Sequence, residues 1–335
     1  MEKEALLYET IAGNVCLCRL CAHGCRIEDG CSGVCRVRGN RDGTLYSQVY
    51  GELIATHVDP IEKKPLFHFY PGSLSLSIAS AGCNFRCSFC QNWQISQAPR
   101  EGGTHTGPDT SPGEVVENAV RRRCRSISYT YTEPTIFFEF ALDTARQAQA
   151  AGLENVFVTN GYMTKEALET IHPALHACNV DLKSFRDSFY RTMCGARLQP
   201  VLDSIRTMKA LGIWLEITTL VIPGQNDSEA EWADIAGFIH DLDPDIPWHL
   251  SRFHPDYEYD AVPATPLKTL QRAHAVGRGA GLRYVYIGNA PGLAEDTVCP
   301  TCGKVLVRRS GYSVALEHLK GGSCGGCGSV IAGRF

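Results

Sequence analysis

Cys83, Cys87 and Cys90 stand in the run Gly82-Cys-Asn-Phe-Arg-Cys-Ser-Phe-Cys-Gln-Asn92, a C-x3-C-x2-C loop directly after the apolar stretch Leu74 to Ala79. Three thiolates spaced so closely on one loop can hold three irons of a [4Fe-4S] cube, whereas a cluster used only for electron transfer usually takes four cysteines. The fourth iron is then open to a substrate or cofactor. Zinc is the competing reading, but structural zinc wants four closed ligands, and no fourth Cys or His follows within reach on this loop.

Two more cysteine groups flank this one. Cys299-Pro-Thr-Cys302-Gly and Cys324-Gly-Gly-Cys327-Gly pair two C-x2-C knuckles, a zinc-ribbon or rubredoxin-like pattern that suits zinc or a single iron. Near the other end, Cys18, Cys21, Cys25 and Cys35 offer four ligands, with Cys16 and Cys31 spare. Knuckle spacing there suits zinc and the three-residue gap suits a second iron–sulfur cluster. The isolated Cys124, Cys178 and Cys194 read as small buried hydrophobes, although Cys194 also follows a strand and could reach a cavity as a hydrogen donor.

The loop Gly82 to Asn92 is similar to the cluster loop of radical S-adenosylmethionine (SAM) enzymes, in which an aromatic, here Phe89, precedes the third cysteine. The segment Asp59-Pro-Ile-Glu-Lys-Lys-Pro-Leu-Phe-His-Phe-Tyr-Pro-Gly72, the run Arg252-Phe-His-Pro-Asp256 and the terminal cysteines resemble the AmmeMemoRadiSam proteins, relatives of the pyruvate formate-lyase activating enzyme. The resemblance runs over nearly the whole chain. It implies that Glu133, in Thr132-Glu133-Pro134, contacts the methionyl amine of SAM, with Tyr131 and Thr132 where the family carries glycines. It implies further that Thr159 and Asn160, and Asp181 with Lys183, line the SAM pocket, and that His254 stands near the ribose; Val158 replaces the first Asp of a cation-site motif.

The implied activity is reductive cleavage of SAM to methionine and a 5'-deoxyadenosyl radical, which takes hydrogen from a substrate; no catalytic residue is assigned beyond the cluster. Implied partners are a low-potential electron donor of the flavodoxin or ferredoxin type, a protein substrate, and AMMECR and Memo family proteins. Modification of RNA or a small molecule, and a non-catalytic iron–sulfur or zinc interaction module, are the alternatives.

Charge is near balance, with net charge -4 and a pI near 6.3, so no basic field draws the chain to nucleic acid or anionic lipid. Arg121, Arg122, Arg123 and Arg125 form the one basic cluster, placed to complement a helix C-terminus. No stretch reaches membrane-spanning length and no export signal opens the chain, so a cytoplasmic protein is expected, with cysteines serving as metal ligands rather than disulfides.

Between the cysteine groups, strand and helix patterns alternate. Strands are expected at 74–79, 126–131, 155–159, 178–182, 213–222, 248–253 and 283–287. Helices are expected at 112–123, 135–151, 164–175, 199–211 and 266–279, and another after Ser228; Ser111 with Glu114 and Ser228 with Glu231 read as capping boxes. Tyr129 and Tyr131, alternating on one strand, read as core on a shared face.

Six or so βα units fit an α/β fold with a partial, open (β/α)6 TIM-like barrel; a doubly wound sheet is the alternative. The expected division is a Cys-rich module over 1–58, the barrel over 59–292 and a ribbon module over 293–335. In such folds chemistry gathers at the strands' C-terminal ends, where Glu133, Thr159, Asn160, Asp181, Lys183, His254 and Asn289 all fall.

Overall fold

The computed structural model describes residues 2–102 and 107–335. Its centre is an eight-stranded sheet made of β1 (Ala55–Pro60), β2 (Leu74–Ala79), β3 (Ser126–Tyr129), β4 (Glu154–Thr159), β5 (Ala177–Asp181), β6 (Trp214–Val221), β7 (Trp248–Arg252) and β8 (Val285–Gly288). The strands lie in sequence order; β2 to β8 run parallel and β1 pairs antiparallel with β2 at the edge. A doubly wound sheet reverses its strand order at a switch point. Here the order never reverses and β8 does not pair with β1, so the sheet is an open partial barrel.

Six helices carry the parallel crossovers: α1 (Pro112–Arg121), α2 (Phe138–Ala150), α3 (Lys165–Ile171), α4 (Leu198–Ala210), α5 (Glu229–Leu242) and α6 (Leu267–Gly279). Helix starts follow local chemistry. The Ser111 hydroxyl accepts from Glu114 N while the Glu114 side chain accepts from Ser111 N, a complete capping box with Pro112 in the first turn. At Ser228 only half of the expected box forms. Ser228 accepts from Glu231 N, but the Glu231 carboxylate turns away to accept from Phe185 N and Ser184 Oγ, bracing the loop after β5. Buried loop donors need an acceptor more than an exposed cap does.

The core is apolar and continuous. Trp232 and Trp248 are fully buried, and Trp248 Nε1 donates to Thr219 Oγ1 at 3.0 Å, so the indole's one polar atom is satisfied. Ala5, Cys18, Leu20 and Leu45 from the N-terminal segment belong to that same cluster. The C-terminal hairpins pack separately, with Leu306, Val307 and Ile331 against Tyr284 and Tyr286 of the β8 edge. Among the described residues no helix is long and apolar enough to cross a membrane.

Two further differences from the sequence reading concern strands. The strand expected to run to Tyr131 ends at Tyr129, because Tyr131 takes a left-handed φ of 64°. Tyr129 is core and donates to Asn155 Oδ1, whereas the Tyr131 hydroxyl leaves that face and donates to Asp59. The antiparallel edge strand β1 was not expected, since its pattern Ala-Thr-His-Val-Asp-Pro lacks clean alternation.

Candidate active site

The cluster loop is pinned from behind. Gly82 sits at φ 106°, and a Cβ there would lie 3.0 Å from Val37 Cγ1, so only glycine makes the turn off β2 unstrained. Arg86 N and Ser88 N donate to the carbonyls of Cys194 and Met193, and the Arg100 guanidinium donates to the carbonyls of Phe85 and Cys83. Those bonds leave the thiols facing forward. Cys83, Cys87 and Cys90 all line a cavity of about 710 Å³ at the C-terminal ends of the strands.

Burial pushes the Cys83 and Cys90 thiols up, and contact with Cys194, then burial, does the same to Cys87. Thiolates crowded together out of water call for a cation among them. Cys194 itself is buried behind Cys87 and does not line the cavity.

The strand ends bring the expected residues to this cavity. Glu133 is buried at the N-cap of a 3-10 turn over Pro134–Phe137; Oε1 accepts from Thr135 N, Thr135 Oγ1 and Thr159 Oγ1, and Oε2 from Asn160 N at 2.8 Å. Burial raises its pKa against those four hydrogen bonds. Asn160 Nδ2 donates to Asn84 Oδ1 at 2.7 Å and lies 3.8 Å from Cys83 Sγ. Asp181 and Lys183 form a 2.8 Å ion pair whose ammonium lies over the Phe89 ring; burial disfavours that charge, yet Asp181 and the neighbouring thiols raise its pKa.

Asn289 lines the cavity too and donates to Ser251 Oγ. His254 stands apart. It is exposed at the rim, tied to the cluster loop by a 3.0 Å bond between Gln91 Nε2 and its Nδ1.

Sequence reasoning named no cavity role for Lys64. Lys64 Nζ pairs with Asp59 Oδ2 at 2.7 Å and lies over the Tyr131 ring, and both Lys64 and Tyr131 line the cavity. Burial pushes Lys64 down to about 8, with Asp59 opposing, while bonds from Lys64, Tyr131 and Lys63 outweigh burial to hold Asp59 well below the usual carboxylate range. Two adjacent lysines shortly after Asp59-Pro60 were the available signal, since the pattern alone does not say which lysine turns inward.

The terminal cysteines separate by geometry. Cys299, Cys302, Cys324 and Cys327 bring their sulfurs within 4.8 Å of one another, with pairs at 3.6 Å. A tetrahedral ion with thiolates at about 2.3 Å needs sulfurs about 3.8 Å apart. Among the described residues no other His, Cys, Asp or Glu group converges so tightly. Cys18, Cys21, Cys25 and Cys35 line a second, small cavity, which Cys16 and Cys31 do not reach.

Comparison with known proteins agrees with this geometry. The radical SAM superfamily model matches residues 77–236. An uncharacterized protein of Methanocaldococcus jannaschii is 44% identical over 319 residues, covering 95% of this chain and 94% of that one. The isethionate sulfite-lyase activating enzyme of Nitratidesulfovibrio vulgaris is 27% identical over 50% of this chain and 56% of its own. A GTP 3',8-cyclase of Listeria welshimeri is 28% identical over 49% of each. The chain thus spans about half the length of those two enzymes.

In fold, the chain is similar to a radical SAM methyltransferase from Sphaerobacter thermophilus, with a TM-score of 0.51 at 18% identity over 68% of this chain and 70% of that one. Three forward-facing thiols on a loop after the first parallel strand, an open barrel, and a relative matching along almost the entire length converge on one assignment: the chain is an enzyme of the radical SAM superfamily.

Proposed function

We propose that this enzyme abstracts hydrogen from a protein substrate, in the manner of the activating enzymes, and that it is of the AmmeMemoRadiSam type. The observation that carries the reading is that three cluster thiols and the strand-end polar residues face one cavity of about 710 Å³. The donor set fits a [4Fe-4S] cluster with a SAM molecule: three soft ligands, then carboxylate, hydroxyl and amide groups within the same walls. When bound, the reduced cluster supplies the electron that splits SAM into methionine and a 5'-deoxyadenosyl radical.

The chain's own residues hold and orient. Glu133 Oε2 takes one donor from the chain, so it keeps capacity for the SAM ammonium while Oε1 is fixed by three. Thr159 and Asn160 set that carboxylate's position, and the Asp181–Lys183 pair offers a charge of either sign to the methionyl carboxylate or the ribose. His254 and Gln91 close the rim. Lys64 and Tyr131, both held by the buried Asp59, present a polar surface in the cavity to a substrate backbone.

Gly311 and Tyr312 of the C-terminal ribbon also line the cavity, which gives a protein partner a surface beyond the barrel. The ribbon's four thiols suit zinc. We take 59–292 as the barrel domain, with modules at 1–58 and 293–335, and assign the chain to the cytoplasm, where sixteen free cysteines persist. A low-potential flavodoxin or ferredoxin is the electron source, and AMMECR and Memo family proteins are the candidate partners by resemblance.

Anaerobic incubation of the reconstituted enzyme with dithionite and SAM is expected to yield 5'-deoxyadenosine, and the Cys83→Ala, Cys87→Ala, Cys90→Ala triple variant none. Deuterium moving into 5'-deoxyadenosine from a uniformly labelled candidate protein would identify the substrate. Transfer from labelled RNA or a labelled metabolite instead would sink the protein-substrate reading.

A further inference from the structure

The N-terminal strands build a second thiol cage directly behind the cluster loop. Cys18 ends the strand Val15–Cys18, Cys21 and Cys25 follow on the next loop, and Cys35 comes from the turn before the strand Arg38–Arg41. With His23 and Arg38 they line one small cavity. We propose that Cys18, Cys21, Cys25 and Cys35 hold a second [4Fe-4S] cluster that hands electrons to the barrel site; the relay role rests on the barrel reading above, the site itself does not.

Three observations carry it. The first is spacing. Sulfurs around a single tetrahedral ion stand about 3.8 Å apart, as the C-terminal four nearly do. The N-terminal four line one cavity, yet among the described residues only the C-terminal four bring every ligand atom within 4.8 Å of the rest; a cube, whose thiolates ride on separate irons, does not ask for that closeness. Four cysteines also close every corner, which is the arrangement for electron transfer rather than for binding substrate.

The second observation is an unsatisfied buried donor. Arg38 is 2% exposed and lines this cavity. Its terminal nitrogens are taken by Glu139 at 2.8 Å and by Leu6 O at 2.7 Å, but Nε has no acceptor. A buried donor left bare costs ~1–3 kcal/mol. An anionic thiolate–sulfide centre supplies the missing acceptor.

The third is contact with the barrel site. Arg100 Nη2 donates to Val34 O at 2.8 Å and to Cys83 O at 3.0 Å, spanning the two cysteine loops. His23, between Cys21 and Cys25, bonds through Nε2 to Asn84 O at 2.8 Å, one residue from Cys83. At Gly82 a Cβ would stand 3.4 Å from Cys35 O, so the two backbones touch. One electron enters from a low-potential one-electron donor protein and one leaves for the barrel site; no bond is made or broken and no proton moves.

The test is metal analysis and electron paramagnetic resonance on the full-length chain, reconstituted anaerobically. Wild type is expected to hold about eight irons, and the Cys83→Ala, Cys87→Ala, Cys90→Ala variant about four, with a reduced-cluster signal after dithionite. No iron and extra zinc in that variant would overturn the second cluster. Equal iron in variant and wild type would count against the barrel cluster instead and leave this site standing.

The complementary Cys21→Ser, Cys25→Ser variant should keep about four irons and dithionite-driven SAM cleavage but lose cleavage driven by flavodoxin. Flavodoxin-driven cleavage at the wild-type rate would dispose of the relay.

Discussion

At the scale of single residues, the site separates groups that face the cavity from groups that merely stand near it. Cys194 is the clearest case, a cysteine near the end of a short helical segment after β5 and thus a candidate hydrogen donor from its sequence position. Its side chain is fully buried behind Cys87 and absent from the cavity wall. Cys194→Ala should therefore leave the yield of 5'-deoxyadenosine and substrate turnover unchanged while costing about 1 kcal/mol of stability for the lost sulfur contact. Chromatographic product analysis beside urea denaturation checks both halves. A loss of substrate turnover with 5'-deoxyadenosine intact would put the thiol back among the reacting groups.

At the scale of elements, most of the framework was legible because it is written locally. Ser111, Pro112 and Glu114 announce a helix start with a side-chain mechanism, and the strands from Leu74 to Gly288 follow runs of apolar residues, their ends moving only by a residue or two. What the chain hides is long-range. Glu231 abandons its helix cap for a loop 46 residues away, and Tyr131 crosses to Asp59, 72 residues away, choices that no local pattern encodes. Strand-end position brought Glu133, Thr159, Asn160, Asp181 and Lys183 to the cavity wall, but it says nothing of β1, whose antiparallel pairing fixes Asp59, the partner of the cavity-lining Lys64.

Helix α6 shows the same contest between local and distant effects. Gly277 sits inside it, where alanine is favoured by about 1 kcal/mol on propensity alone. Yet a Cβ at 277 would lie 2.9 Å from Cε3 and Cζ3 of the buried Trp248 and 3.1 Å from Val285 Cγ2. A fully buried indole pinned by its bond to Thr219 has no room to swing away. Overpacking costs about 1–3 kcal/mol, so the net effect of Gly277→Ala should be destabilising, read as a lowered thermal midpoint. A raised midpoint would show that α6 rides up from the sheet without strain.

At the scale of the whole molecule, the C-terminal ribbon, which contributes to the cavity lining, is fastened to the barrel in part through a buried polar knot. His68 Nδ1 bonds to Ala332 O and Nε2 to the Tyr286 hydroxyl, each at 2.7 Å, while Glu216 accepts from the backbone N–H of Phe67 and His68 and from His249 Nε2. Arg309 adds a bond to Phe67 O. Burial pushes His68 down to about 4, with Glu216 pulling the other way and Arg309 and His249 adding to the fall.

Between pH 6.5 and about 4 the unfolded chain therefore binds a proton that the folded imidazole refuses, so stability is complete above 6.5 and falls as the medium is acidified through that window. The shift corresponds to about 3 kcal/mol at the acid end. His68→Gln should be less stable than wild type at neutral pH but lose less on acidification, because the proton uptake is gone. Urea denaturation from pH 7.5 down to pH 4.5, followed through Trp214, whose ring stacks on His68 at 6.3 Å, measures the difference. Parallel curves for the two proteins would mean that the knot carries no titrating histidine.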